Sequence, residues 1–485
     1  MAEYTCVRPG GVVAADLCKE ACMLDPIFQR SVDHSAITVM AAAALARLLS
    51  PRRLDALFEQ FRQGQYVHRL LFSTVFELMA TVVAGTRKSI HHAYQTATEP
   101  VAVSVVAVYA KLQGIETATS QALVRDVGGE VAALMDQLGG ALEPIAPGYQ
   151  TRILDGNCIA ASEHRIKELR RTAAGALPGK SLVVLDADRR LIRDVFPCED
   201  GHAQERSLLD QVIPTIARDD LWIDDRNFCT FAFLHALDQR QAFFITRQHG
   251  NMVCEPRGTR RKVGQIEGGT VYEQLVSIRG NHGRQLQPRR IEIHLERATR
   301  DGDKVIYLLS NLPSRGPRGV NARRVAELYR RRWTIETAFQ ELALHLNSEI
   351  NTLGYPQAAL FGFCVALVLY NAVALMRAAL RGAHGARKIE EEVSNYYIAA
   401  ELETTSRGMM IAIPEAHWHV FGTMSPDDFV AVMLMLAGKV NLRHLKKHPR
   451  GPKKPQPART YDPAHPHVAT ARLLAQRQPR KRRTM

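Results

Sequence analysis

The sequence predicts a mixed α/β protein, helical at both ends and interrupted by a β-rich block. Three observations predict it. Residues 1–145 carry apolar residues at helical spacing with few β-branched runs. From Tyr149 the apolar runs shorten and alternate, and short helical stretches fall between them. Between 249 and 320 the chain is Gly-rich and strand-like, and helical spacing returns from 321.

AAAALARLL (41–49), LFSTVFELMATVVAG (71–85) and QALVRDVGGEVAALMDQL (121–138) define a helical N-terminal region, residues 1–145. EPIAPGY marks its boundary, because Pro and Gly break helices. YQTRILDGNCIAAS (149–162) reads as a strand with Asp155 in its middle, and KSLVVLDADRRLIRDVFPC (180–198) as two strands joined at Ala187–Arg190. AQERSLLDQVIPTIA (203–217) reads as a helix, DLWIDDRNF (220–228) as a strand ending in acids, TFAFLHALDQ as a helix and AFFITRQ as a strand. Residues 146–248 are thus the first part of an α/β core. VYEQLVSIRG, RRIEIHLERAT and DKVIYLLSNL make 249–320 a basic block of antiparallel strands. Helices resume over 321–380 and continue through 381–445, a region suited to dimerisation. Residues 446–485, rich in Pro, Lys and Arg, read as a flexible tail.

The net charge is +14, and it is concentrated. Lys439–Met485 holds 14 Lys/Arg against one acid, Asp462, and Asp238–Arg324 holds 17 against eight. Such blocks are the electrostatic footprint of a nucleic-acid binder. Eight dispersed cysteines without a CxxC pair argue against a zinc ribbon and fit reduced thiols. The N-terminus shows no basic-then-apolar leader pattern. The apolar run FGFCVALVLYNAVALM (361–376) is short for a membrane span and carries Asn371, so a buried helix is expected, with no membrane partner.

LYRRRWTIETAFQEL (328–342), read as one helix, places Tyr329, Arg332 and Glu336 on one face. An isolated Arg/Glu pair at this spacing is ordinarily a solvent-facing ion pair. Two upstream aspartates change its weight. Asp155 lies among apolar residues, where a carboxylate needs a partner or a metal. Asp225 ends LWIDD, and strand ends are where open α/β sheets carry their chemistry. Its neighbour Asp224 points the other way if the strand continues. Asp186 and Asp188 fall in a hairpin turn, where Asp is structural. Three converging carboxylates without Cys or His suit a pair of Mg²⁺ or Mn²⁺ ions acting on a phosphodiester.

Together these residues resemble the DDE transposases of the insertion-sequence-four group, relatives of the transposon-five transposase. That family's signature is Tyr-x2-Arg-x3-Glu-x6-Lys, matched here at Tyr329, Arg332 and Glu336, while ILDGN and IDDRNF resemble its two aspartate segments. The resemblance spans roughly 150–375. It implies an RNase H-like catalytic core interrupted by a β-rich insertion. It also implies two Mg²⁺ (or Mn²⁺) ions on Asp155, Asp225 and Glu336. The expected activity is cleavage at insertion-sequence ends and transfer of the 3′-hydroxyl ends to target DNA. Tyr329, Arg330, Arg331, Arg332, Trp333, Arg323 and Arg324 are the expected DNA contacts. The partners would be double-stranded DNA, as terminal inverted repeats and target, and a second copy of the chain in a homodimeric complex. The location would be a bacterial cytoplasm, at the nucleoid. A transposase repurposed as a DNA-binding protein without catalysis is the alternative. The signature Lys falls on Ala343, and no Trp lies in the insertion, leaving Tyr272 to stack on a flipped base.

Overall fold

Alternating apolar residues in 150–198 build a three-stranded antiparallel ribbon: β1 (Gln150–Cys158), β3 (Lys180–Asp186) and β4 (Leu191–Cys198). The computed structural model describes residues 24, 26–65, 69–97, 99–159, 166–169, 174–280, 283–299, 302–404, 413–448, 464 and 466–477. Strand β5 (Asp220–Asp224) pairs parallel with β1, and β6 (Phe243–Arg247) parallel with β5. The connection between β5 and β6 is helix Phe231–Gln239, capped by the Thr230 hydroxyl, which accepts from the Phe233 N–H. The expected helix at 203–217 is instead a string of short turns, 3₁₀ at Glu205–Leu208, α at Leu209–Val212 and 3₁₀ at Ile213–Thr215. Pro214 lacks the N–H that a continuing helix requires.

The basic block does not form a separate body. β7 (Glu255–Ile266), β8 (Gly269–Arg279), β9 (Gln285–Leu286), β10 (Arg289–Leu295) and β11 (Val305–Ser310) extend the same sheet, because β11 pairs antiparallel with β6. The order is β4-β3-β1-β5-β6-β11-β10-β8-β7, with β9 beside β8. One face of the core strands buries Leu154, Leu182, Val184, Phe196, Trp222 and Phe244 against Phe233, Leu234 and Leu237 of helix Phe231–Gln239. Each such side chain contributes about 1.5–3 kcal/mol by leaving water.

Strand β4 is the edge of the sheet. There the buried amide of Asn371 imitates a neighbouring strand. Its Oδ1 accepts from the Ile192 N–H and its Nδ2 donates to the Ile192 carbonyl, both at 2.8 Å. Asn371 lies on the helix Pro356–His384, and 94% of that helix's most apolar window is buried. This helix and Pro26–Phe61 have the length and composition to cross a membrane. The burial of the former matches the expectation of a core helix.

The chain clusters into two compact units. One comprises Met1–Ser50, Ala133–Ala141 and Leu375–His448, and it is helical among its described residues. Its core packs Phe28 edge-to-face on Trp418 and Phe421, with ring centroids 4.9 and 5.5 Å apart. Arg377 and Arg381 are buried there and share Glu390. The other unit comprises Pro51–Ala132, Leu142–Ala374 and Pro449–Met485, and it holds the sheet. The helical N-terminal region is therefore divided between the two. Within the segment read as a tail, β12 (His467–Ala469) pairs parallel with β2 (Gly175–Leu177), helix Thr470–Arg477 follows, and Arg472 binds Asp200 at 2.6 Å. Residues 449–463, 465 and 478–485 of that segment lie outside the described residues.

Candidate active site

The parallel register pairs Ile153 with Ile223, so one step further along β1 and β5 Leu154 lies level with Asp224, and the next step sets Asp155 level with Asp225. Side chains alternate across a sheet. Leu154 and Trp222 face the hydrophobic core, and Asp224 shares that direction; Asp155 and Asp225 share the other. Asp225 keeps extended backbone (φ −92°, ψ −178°) and caps the turn Arg226–Phe228, accepting from the Asn227 N–H at 2.7 Å.

The third acid arrives on a broken helix. Ala322–Arg330 and Trp333–His345 are separate helices joined at Arg331–Arg332, where the continuous helix 328–342 was expected. The joint is tightened. The Arg331, Arg332, Thr334 and Ile335 N–H groups all donate three residues back, the 3₁₀ pattern. At that joint Arg332 turns inward. It donates to Asp155 Oδ2 at 2.9 Å and to Glu336 Oε1 at 2.8 Å, and its guanidinium lies 4.7 Å from the ring of Trp333. The i,i+4 pair expected of a surface helix is present, but it is largely buried and shared with a strand 177 residues away.

The charge in this pocket is unbalanced. Arg332 pairs with the acids Asp155 and Glu336, and Asp225 adds its field at Asp155, while Asp224 faces the other side of the sheet. Burial pushes the Asp155 carboxyl up to about 7, against the pull of Arg332 and the Gly156 N–H. Asp224 is fully buried, neither carboxylate oxygen is fully hydrogen-bonded, and burial holds it well above the usual carboxylate range, with the Thr246 hydroxyl as its main relief. Tyr329 is also buried, which raises its phenol to about 12. Arg247, at the end of β6, sends a second positive field toward Tyr329 while pairing with Asp303 at 2.6 Å.

The structure brings Asp155, Asp225, Glu336, Arg332 and Tyr329 to one place. Arg323, Arg324, Arg330 and Arg331 are exposed along the adjoining helix, and Trp333 is 57% exposed beside them. Arg330 pairs with Glu267, and Arg324 with Glu327 and the Ile145 carbonyl. The side chain of Ala343 lies outside those described. Asp186 and Asp188 are structural, as the sequence implied. Asp186 binds Arg152 and Arg189, and Asp188 accepts from the Ile145 and Thr151 N–H groups. Tyr272 carries Arg260 over its ring at 4.1 Å and has the His294 ring tilted beside it at 4.7 Å. Arg247, Thr246 and Glu205 are neighbours of the site that no sequence motif singled out, and Asn227 lay inside IDDRNF without a role assigned to it.

With this geometry in view, comparison with known proteins finds similarity over the middle of the chain. Residues 146–371 match the family model of the transposase DDE domain. A curated Sinorhizobium fredii protein, "Putative transposase y4zB", is 30% identical over 164 residues, 33% of this chain. The alignment spans 42% of that relative's length. Among solved structures, the piggyBac transposase synaptic complex with hairpin DNA aligns over 80% of this chain and 84% of its own, at 11% identity and a TM-score of 0.38. The matched stretch begins just before β1 and ends at Asn371, so it contains Asp155, Asp225 and Glu336.

DDE domains use divalent metal ions, and the donor set here fits one by chemistry. All candidate ligands are carboxylate oxygens, which suit hard cations. The pocket also sets Asp155, Asp225 and Glu336 against the one guanidinium of Arg332, which leaves its acids under-balanced. The fit is not one of ready-made position. Among the described residues no three His, Cys, Asp or Glu side chains form a metal-binding group. The guanidinium of Arg332 lies between two of the expected ligands.

Proposed function

We propose that the chain is a DDE transposase that cuts DNA at the ends of an insertion sequence and joins the resulting 3′-hydroxyl ends to target DNA. The observation that carries this reading is the convergence of Asp155 from β1, Asp225 from the end of β5 and Glu336 from a helix on one charged pocket. The strand order supports it too, being the order expected of an RNase H-like core. Taken in chain order and omitting short β2, the first five strands of the sheet run third, second, first, fourth, fifth from the β4 edge, with the first three antiparallel and the last two parallel to the first.

Asp155, Asp225 and Glu336 would hold two Mg²⁺ or Mn²⁺ ions. Such ions supply activation of the attacking oxygen and neutralisation of the leaving one. Arg332 spends its charge on Asp155 and Glu336, so it becomes available to a phosphate when another cation neutralises those carboxylates. Tyr329, buried three residues before it, lies within its electrostatic reach and would help hold the joint. Arg323, Arg331 and the exposed Trp333 line the approach to the pocket and would hold the DNA backbone. Strand β7 adds a second basic surface. Its residues 256–263 are all exposed and include Arg257, Arg260, Arg261 and Lys262. Two copies of the chain would hold two ends together.

The test is Mg²⁺-dependent nicking of DNA that carries the inverted repeats flanking the gene. Wild type should cut, and Asp155→Ala should not. Equal products from the two would sink the enzymatic reading and leave a DNA-binding protein in its place.

A further inference from the structure

Gly156 follows Asp155 in the middle of β1, where glycine weakens a strand. Its backbone does not need glycine, since it is not among the positive-φ residues. What it provides is room. A Cβ at this position would lie 2.2 Å from Oε1 of Glu205, which heads the helical turn Glu205–Leu208. The other carboxylate oxygen, Oε2, accepts from the Asn227 side-chain amide at 3.2 Å. Asn227 in turn donates its backbone N–H to Asp225. One carboxylate therefore touches the residue after Asp155 and the residue that holds Asp225. Among the described residues Glu205 makes no ion pair, so charge pairing does not explain where it sits.

We infer that Glu205 is a positioning residue: it spans the ends of β1 and β5 and sets the spacing of Asp155 and Asp225. The inference rests on the proposed reading of those two aspartates as metal ligands. Glu205 acts through the amide of Asn227, not by contact with the reacting atoms. A glutamine at 205 keeps an oxygen acceptor for that amide, whereas an alanine removes it. A methyl group at 156 pushes the carboxylate away from the same place.

The experiment compares wild type with Glu205→Gln, Glu205→Ala and Gly156→Ala in two measurements: Mn²⁺ binding by calorimetry on the full chain without DNA, and the Mg²⁺ concentration for half-maximal nicking. Loss of a group that orients a metal ligand costs about 10- to 100-fold in metal affinity. Glu205→Ala and Gly156→Ala should weaken Mn²⁺ binding by about tenfold and raise the Mg²⁺ requirement to match, with the plateau rate falling by less. Glu205→Gln should stay within about threefold of wild type, well short of that loss. The inference is overturned if Glu205→Ala binds Mn²⁺ as wild type does, or if Glu205→Gln is as damaged as Glu205→Ala. If wild type neither takes up Mn²⁺ nor nicks DNA, the transposase reading falls and the inference with it. Normal metal uptake by both wild type and Glu205→Ala sinks the inference alone.

Discussion

The guanidinium of Arg332 is bonded to the Asp155 carboxylate at 2.9 Å, joining the tightened turn between two helices to the middle of β1. A second bond, to Glu336, makes Arg332 the cation that currently serves both acids. Arg332→Ala should therefore do two things. Nicking should fall by at least about 100-fold, because a charge-stabilising donor near the phosphate is lost. The protein without divalent ions should also lose about 1–3 kcal/mol at pH 8, since a buried carboxylate is left unpaired. Arg332→Lys should rescue little, because a point charge cannot reach both carboxylates as a planar fork does. Chemical denaturation and a nicking time course check both parts.

Asp155 gives the protein a pH signature. Its carboxyl is raised from 3.8 to about 7 by burial, so the folded state binds the proton more tightly than the unfolded chain. The contribution is fully present below pH 4 and is lost as pH rises through 7. At most it amounts to about 4 kcal/mol, at 1.36 kcal/mol per unit. In the absence of divalent ions, thermal melting near pH 5 should therefore occur at a higher temperature than near pH 8. Mg²⁺ or Mn²⁺ should raise the pH 8 value and leave the pH 5 value nearly unchanged. A melting temperature that rises from pH 5 to pH 8 without metal would contradict this assignment.

Asp224 and Asp225 are adjacent but face opposite sides of the sheet. Asp225→Ala should abolish nicking, at least about 1000-fold, the scale of removing one member of a group that acts as a unit. Asp224→Asn keeps the shape and replaces an acid whose charged form burial already disfavours, so nicking should stay within about tenfold and thermal stability should not fall. The reverse ranking in single-turnover assays would assign the second ligand to Asp224.

The exposed strand β7 should contribute affinity without sequence preference. Arg257 and Lys262 make no ion pair among the described residues. Replacing both with alanine should weaken binding to any duplex and reduce the slope of log affinity against log salt by about 2. An unchanged slope would place the DNA elsewhere.

Much of the architecture was legible because it is local. β3 and β4 fall on the 180–198 hairpin because alternation and a polar turn specify them without help from the rest of the chain. Asp225 was preferred over Asp224 because Asp-Arg-Asn-Phe opens the following turn, and Asp225 caps the turn Arg226–Phe228. The break at Arg331–Arg332 was not legible. The local sequence is a good helix former throughout, and the joint is where Arg332 turns toward a partner on β1. Glu205 left no motif, because its relation to Asp155 and Asp225 exists only across three segments. The joining of β11 to β6 was hidden for the same reason, since a strand's partner is not encoded in its own pattern.

The clasp between Asn371 and Ile192 has a consequence for how the chain is made. The two residues are 179 positions apart, so β4 leaves the ribosome long before the side chain that closes its edge. At 5–20 residues per second that interval is about 10–35 s. A nascent or prematurely terminated chain ending before residue 371 therefore carries an open sheet edge, free to recruit strands from other copies. Synthesis must run nearly to the end of the DDE-matched segment before this exposure is closed.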